Sequence, residues 1–115
     1  MRKTMGMWRE RITQTATTTT ATLYSDKVKE GERWYLQRVT VRNDTTATAD
    51  CLVSIDAGTH VHPLYYFENT GKDVEASQEI QCWLRAGERL QFDWTSIVAG
   101  DKLFVHVTGH KQGAD

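Results

Sequence analysis

The sequence predicts an all-β fold, an antiparallel β-sandwich of jelly-roll-like type with roughly seven or eight strands. Apolar and polar residues alternate with a period of two through much of the chain, which buries one row of side chains and exposes the other. A turn motif of small or acidic residue, Gly, acid, base and large apolar residue occurs three times, at 30–34, 86–90 and 99–103. No stretch shows a convincing helix of three turns. These observations favour a sandwich over a closed barrel.

The chain of 115 residues and 13.1 kDa is long enough for one domain. We expect an extended N-terminal arm over 1–14, a β-sandwich over 15–110 and a short C-terminal tail over 111–115. The first twelve residues hold four cations and one acid, a net +3, which leaves −4 for the rest of the −1 chain. A basic arm on a mildly acidic body can dock on an acidic neighbour, including another copy of the chain.

The threonine-rich stretch 15–24 predicts an edge or outward-facing strand, because threonine is β-branched but half polar. In the next strand, Trp34 and Leu36 share one phase whereas Val39 and Val41 share the opposite one. A β-bulge near Gln37 would bring all four side chains to the core. The strand over 47–56 then alternates cleanly.

Residues 59–69 form the least regular strand, and Pro63 places it at an edge or in a loop because proline lacks a ladder donor. Tyr65, Tyr66 and Phe67 are consecutive, so at least one of these rings lies outside the core. The strand over 74–84 points Trp83 outward. In the last two strands, alternation leaves Phe104 and His106 outside the core. The inward residues are Leu90, Phe92 and Trp94 in the first of these strands and Leu103, Val105 and Val107 in the second.

One histidine pair has metal-ligand spacing. His60 and His62 project to the same side of a strand, which resembles the first motif of the cupins, metal-binding jelly rolls. The interval to Glu68 is longer than that motif allows, and its second motif is absent. We expect two exposed polar residues here, no metal site and no cofactor; a cupin-like metalloprotein is the least favoured alternative and needs His106 to converge with the pair.

Nothing else in the sequence favours catalysis. The serines lack a GxSxG elbow, and the carboxylates of Asp93 and Asp101 are interpreted as solvated charges near turns. Cys51 and Cys82 fall on the apolar phase of their strands, which favours buried free thiols, with a disulfide as the alternative. We therefore predict that the protein is not an enzyme.

The net charge and the hydropathy of the sequence bear on the partners and the location of the protein. A net charge of −1 gives no general reason to expect a nucleic-acid partner. We identify no secretory signal and no apolar stretch near the length of a membrane span, so we expect synthesis in a reducing cytoplasm.

The exposed aromatic residues are the stronger lead, since outward apolar groups on a sheet mark contact with another protein or stacking on a sugar ring. The partner-binding residues that we predict combine these rings with the basic arm: Trp8, Arg9, Arg11, Tyr65, Tyr66, Trp83 and Phe104.

The cadence of turns and strands over roughly 28–110 resembles the small β-sandwich modules of tailed-bacteriophage virion proteins. It includes "RVTVRN", "AGERLQFDW" and "AGDKLFVHVTG". The resemblance implies a non-enzymatic capsid-decoration, tail or adsorption subunit that is present in many copies, is made in the bacterial host cytoplasm and resides in the virion. Its partners would be other virion proteins and copies of itself. The alternative is a carbohydrate-binding module that stacks a host-surface glycan on Tyr65, Tyr66 or Trp83.

Overall fold

The computed structural model describes residues 4–68 and 70–113, with side chains described from Gly6 onward, and over these ranges the backbone forms eight strands. They are β1 (Thr4–Thr15), β2 (Ala21–Tyr24), β3 (Glu32–Asn43), β4 (Asp50–Asp56), β5 (Val61–Phe67), β6 (Ala76–Arg85), β7 (Arg89–Thr95) and β8 (Lys102–Gly113).

The strands form two antiparallel four-stranded sheets, sheet A in the order β1-β8-β3-β6 and sheet B in the order β2-β7-β4-β5. The first half of the chain pairs with the second half in reverse, β1 with β8, β2 with β7, β3 with β6 and β4 with β5. This is one long hairpin folded over into two sheets, which is the jelly-roll topology. The predicted β-sandwich is confirmed.

The core lies between the inner faces of the two sheets and contains three buried tryptophans, Trp8, Trp34 and Trp94. The rings of Trp8 and Trp34 lie 5.0 Å apart. Trp8 donates its indole N–H to Glu10 over 2.9 Å, and Trp34 donates its own to Glu32 over 2.8 Å. Trp8 and Trp34 thus satisfy their indole N–H groups on carboxylates of their own strands while their rings are removed from water, whereas the buried indole N–H of Trp94 has no hydrogen-bond partner among the described residues.

The predicted bulge in β3 is confirmed. The register of β3 shifts between Leu36 and Arg38 against both of its neighbours. Trp34, Leu36, Val39 and Val41 are all buried as a result. Gly109 of β8 lies opposite the bulge, and a Cβ at this position would collide with the Tyr35 carbonyl oxygen. The bulge therefore requires glycine in the facing strand.

The predicted N-terminal arm over 1–14 is wrong for residues 4–14, which belong to strand β1. This strand pairs with β8 from Thr4 opposite Gln112 to Thr15 opposite Lys102. Its alternation is hard to read because Glu10 holds an inward position between Trp8 and Ile12. Residues 1–3 lie outside the described residues.

The predicted C-terminal tail over 111–115 is wrong for residues 111–113. Strand β8 continues to Gly113, and β3 pairs with it as far as Glu32 opposite Gly113. Residues 114 and 115 lie outside the described ranges.

The interpretation of Asp101 as a solvated turn charge is also wrong, because its side chain is buried. It accepts hydrogen bonds from the backbone N–H groups of Asp44, Thr45 and Thr46, at 3.2, 2.9 and 3.3 Å to its nearest oxygens. The Thr46 hydroxyl and the Asn43 amide also donate to it, over 2.6 and 3.1 Å. One carboxylate thus organises the loop that leads from β3 in sheet A to β4 in sheet B.

The positions of the edge strands in sheet B and the unpaired state of the two cysteines agree with the sequence predictions. β2 and β5 are the edges of sheet B. The pairing of β5 shifts register between Val53 and Ser54 of β4, next to Pro63. Cys51 and Cys82 are free thiols, and burial raises the pKa of Cys82 to about 11. Over the described ranges, no helix is long and apolar enough to cross a membrane.

Candidate partner-binding surface

One transverse row of side chains crosses the whole outer face of sheet A. The register places Met7 opposite His110, His110 opposite Tyr35, and Tyr35 opposite Trp83, one residue from each of the four strands. We call these four residues the aromatic row. Adjacent side chains on one face of an antiparallel sheet are close enough to touch, so the row forms a continuous strip.

The three rings of the row contact one another. Tyr35 lies 4.9 Å from Trp83 and 5.1 Å from His110 between ring centroids, and Trp83 meets His110 edge to face at 5.6 Å. At the two ends of the row, Met7 is 64% exposed and Trp83 is 39% exposed. In the isolated chain this strip therefore exposes apolar surface to water.

A second row next to the aromatic row contains polar atoms without a hydrogen bond. Arg33 lies opposite Gln112 on β8 and opposite Arg85 on β6. The guanidinium carbon of Arg33 lies 4.4 Å from the Trp83 ring centroid. Arg33 Nε and Gln112 Oε1 are buried, and among the described residues neither has a hydrogen-bond partner. Unsatisfied buried polar atoms are uncommon, and here a donor and an acceptor without partners lie on adjacent, paired strands.

The outer face of sheet A is strongly basic. Outward positions on its strands hold seven cations and one carboxylate, Glu79, which leaves +6 with histidine neutral. We call this surface the basic face; its cations are Arg9, Arg11, Arg33, Arg38, Arg42, Arg85 and Lys102.

Two ion pairs lie at the side of β6. Arg38 meets Glu79 at 3.8 Å, and Arg42 meets Asp73 at 3.1 Å. Arg9 and Arg11, on the opposite edge strand β1, are exposed. They are therefore open to an acidic partner.

A shallow open depression of about 330 Å³ lies on the basic face, at the other end from Arg33. The Arg42 guanidinium lies over the Phe104 ring at 4.0 Å from its centroid and forms part of the wall. The depression is lined by a mixture of cationic and apolar groups, notably Arg11, Thr40, Arg42, Glu75, Phe104 and His106.

The structure brings together four of the seven predicted site residues: Arg9, Arg11, Trp83 and Phe104 all lie on the basic face. Trp8 does not, because it points inward and is 1% exposed. It therefore stabilises the core and has no surface to offer a partner.

Tyr65 and Tyr66 lie on sheet B, away from the basic face. Tyr66 points outward, opposite Leu52, whereas Tyr65 shares the inward phase with Val53. Because β5 is an edge strand, Tyr65 is still 38% exposed, and it packs edge to face on Phe67 at 4.8 Å. The three rings that we named as alternative sugar-stacking positions therefore do not share one surface: Trp83 lies on the outer face of sheet A, and Tyr65 and Tyr66 lie on sheet B.

Sequence reasoning missed Met7, Tyr35 and His110. Tyr35 stands in the outward phase of β3, between the inward residues Trp34 and Leu36, so a signal was present. The convergence of Tyr35 with Trp83 and His110 depends on strand order, which the sequence does not contain.

The three histidines that a cupin-like site needs are on different sheets. His62 lies at the start of β5 in sheet B and His60 immediately precedes that strand, with ring centroids 6.0 Å apart. His106 lies on the outer face of sheet A, opposite Arg11 and Thr40. In residues 4–68 and 70–113, no three His, Cys, Asp or Glu side chains group as metal ligands could.

No family model and no curated protein matches the sequence. Among solved structures, the chain is similar to the Drosophila NLP core, at 12% identity and a TM-score of 0.46, over 92% of this chain and 97% of that one. A chain from infectious bursal disease virus Gx strain has 7% identity and a TM-score of 0.47, over 97% of this chain and 31% of that one.

A third similar chain comes from a Clostridium thermocellum xylanase containing CBM22-1 and GH10 modules, in a complex with xylohexaose. It has 21% identity and a TM-score of 0.40, over 80% of this chain and 19% of that one. At these identities the similarities concern the β-sandwich fold alone.

Proposed function

We propose that this protein is a non-enzymatic structural subunit of a phage virion, a capsid-decoration or tail subunit. It docks through the basic face onto other virion proteins and onto copies of itself. The observation that supports this best is the aromatic row, which runs from edge to edge of sheet A and remains accessible within a field of arginines.

Docking begins with the apolar centre of the face. Covering Trp83, Tyr35 and Met7 removes their exposed rings and thioether from water, and aromatic residues of this kind dominate binding energy when they lie at the centre of an interface. The row already holds its rings against one another, so little side-chain freedom is lost on binding. The affinity therefore comes mainly from this strip.

The cations around the row give orientation and rate. Arg9 and Arg11 extend from the β1 edge, where acidic groups of a neighbour can approach them. Such rim charges steer association and are weakened by salt more than the buried centre is.

This mechanism replaces docking through a free N-terminal arm. Residues 4–15 are strand β1, so Arg9 and Arg11 contribute as part of a rigid sheet. Deleting residues 1–14 would remove an entire edge strand together with Trp8, and would report on folding before it reported on assembly.

The test is the mass of the purified protein in solution, by sedimentation over a wide range of concentration. We expect an oligomer that dissociates at least about tenfold more readily in Trp83→Ala, equivalent to about 1.4 kcal/mol. Tyr66→Ala is the matched control, because it removes an exposed ring from the other sheet and should leave the mass unchanged. A wild-type protein that stays monomeric throughout, or an oligomer that is indifferent to Trp83→Ala, would contradict the proposal.

A further inference from the structure

The outer face of sheet B differs in chemistry from the basic face and is not used in the proposed assembly. Its strands place three carboxylates and one guanidinium outward, a net −2. We call it the acidic face, and its outward residues are Thr22, Tyr24, Asp50, Leu52, Ser54, Asp56, Val61, Pro63, Tyr66, Arg89, Gln91, Asp93 and Thr95.

Two exposed tyrosines mark opposite ends of the acidic face. Tyr24 on edge strand β2 is 41% exposed, and Tyr66 on edge strand β5 is 50% exposed. Tyr24 lies in the same transverse row as Gln91. Tyr66 lies in the row of Leu52 and Asp93, two residues further along the strands. Three strand spacings and two residues separate them, which puts their backbones roughly 16 Å apart. An extended ligand of several rings can reach both.

The polar groups between the tyrosines hold one another in place. Asp93 accepts hydrogen bonds from the Thr22 hydroxyl and the Gln91 amide, each over 2.8 Å. Arg89 Nε donates to Asp56 over 3.0 Å, and its guanidinium lies 3.7 Å from the centroid of the Tyr24 ring. Carboxylates retain lone pairs after one such bond. The face therefore presents fixed acceptors in a plane with an aromatic ring at each end.

Ser54 provides an independent sign of a missing partner. It lies at the middle of the face, between Gln91 of β7 and Pro63 of β5, and strand alternation points it outward because Val53 and Ile55 point inward. Its side chain is nevertheless buried, and among the described residues its hydroxyl oxygen has no hydrogen-bond partner. A buried hydroxyl without a partner is destabilising. Side chains cover it completely, so they must move aside before a sugar hydroxyl can hydrogen-bond to it and relieve this cost.

We infer that the acidic face binds a neutral oligosaccharide that lies across sheet B from Tyr24 to Tyr66. Sugar rings present apolar C–H faces to tyrosine and hydroxyl donors to carboxylates, and both are arranged here. The excess of carboxylates repels sialylated, sulfated or phosphorylated ligands and leaves neutral sugars as the class that fits. Because the site is on the opposite side of the sandwich, a subunit docked through its basic face can bind a glycan at the same time.

The test is an NMR titration of isotope-labelled full-length protein with neutral oligosaccharides of glucan, mannan, galactan, xylan and N-acetylglucosamine type. At least one should shift amide resonances of β2, β4, β5 and β7 at concentrations up to about 10 mM. Tyr24→Ala and Asp93→Asn should each weaken that binding about tenfold or more. Trp83→Ala is the control and should leave it unchanged.

Three outcomes would overturn the inference. One is the absence of any shift with every neutral sugar. Another is binding of sialylated or sulfated sugars alone. The third is a response that maps to β1, β3, β6 and β8 and is lost in Trp83→Ala, since this would place the glycan on the basic face. Assembly is measured separately by sedimentation, so either proposal can fail while the other stands.

Discussion

The two outer faces of this sandwich are built from the same alternating strands, yet they carry opposite charge and different apolar groups. The basic face has +6 on its strands and a continuous row of touching rings, whereas the acidic face has −2 and two separated tyrosines. The net charge of −1 hides this segregation. A near-neutral total therefore says little about partners when a fold sorts its charges onto two surfaces.

The difference extends to how each face manages its polar groups. On the acidic face Arg89 lies over the Tyr24 ring and donates to Asp56, so its charge is paired within the face. On the basic face Arg33 lies over the Trp83 ring, and cations outnumber carboxylates by seven to one on the strands. A guanidinium over a ring keeps its in-plane donors available. The basic face is suited to carboxylates of a protein partner, and the acidic face to hydroxyl groups.

The largest effect that we expect comes from breaking the sheet under the basic face. Gly109→Ala should destabilise the fold by about 3 kcal/mol or more, because the added methyl meets the Tyr35 carbonyl oxygen and must displace the β3 bulge. Chemical denaturation measures it. Thr108→Ala, the neighbouring outward position, is the control and should cost less than about 1 kcal/mol. Equal effects of the two changes would mean that the bulge is not fixed.

Next in size is the link between the two sheets at Asp101. Asp101→Asn keeps the shape of the side chain but replaces one carboxylate oxygen with a donor, which faces groups that are themselves donors. We expect a loss of about 2–3 kcal/mol in the free energy of unfolding. Asp73→Asn, an exposed partner of Arg42, is the comparison and should change stability by less than about 1 kcal/mol. A neutral result at Asp101 would contradict its central role in the loop.

A smaller effect is expected from changes that test the difference in charge between the two faces. Arg9→Gln combined with Arg11→Gln should slow self-association and flatten its dependence on salt between about 0.1 and 1 M, while stability stays within about 0.5 kcal/mol. Stopped-flow light scattering measures the rate. Asp56→Asn, on the acidic face, should leave both the rate and its salt dependence unaltered. A larger change from Asp56→Asn than from the double variant would reverse the assignment of the faces.

The smallest effect that we expect is a loss of folding stability at acidic pH. The hydrogen bonds from the Gly58 backbone and from Arg89 lower the pKa of Asp56, and that from the Lys102 backbone lowers the pKa of Asp44. A lowered pKa in the folded state stabilises the fold above the unfolded pKa, near 4, and this contribution disappears as the pH falls through the folded pKa. Denaturation at a series of pH values should show stability falling below pH about 4, less steeply in Asp56→Asn. An unchanged slope in that variant would contradict the assignment.

Much of the fold could be predicted from the sequence, because the alternation of apolar and polar residues along a strand indicates which side chains are buried. The β3 bulge is the clearest case: a change of phase between Leu36 and Val39 can be reconciled with a single core only by an extra residue. The inward residues of β6, β7 and β8 were equally readable, since apolar residues hold nearly every second position there.

Strand β1 could not be read in the same way. Its inward positions include Glu10 and Gln14 as well as Trp8 and Ile12, so its alternation is masked. Glu10 is inward because it accepts hydrogen bonds from the Trp8 indole and from the Asp26 backbone. These contacts involve the fold as a whole, and a local pattern does not contain them.

The candidate sites lay beyond sequence reasoning for a related reason. Trp83 and Phe104 were recognised as outward, but their surroundings depend on which strands are neighbours. Tyr35 and His110 are 75 positions apart in the chain and stack because β3 and β8 pair. Asp101 looked like a turn charge because a glycine precedes it, and only the folded loop over 43–46 reveals its bonds.

The most direct test of the central claim, that the basic face is the docking face, is hydroxyl-radical footprinting of the assembled protein followed by mass spectrometry. We expect Met7 and Trp83 to be strongly protected from oxidation relative to a dilute, dissociated sample, whereas Tyr24 and Tyr66 react equally in both. Protection of Tyr24 and Tyr66 with unchanged oxidation of Trp83 would contradict the account.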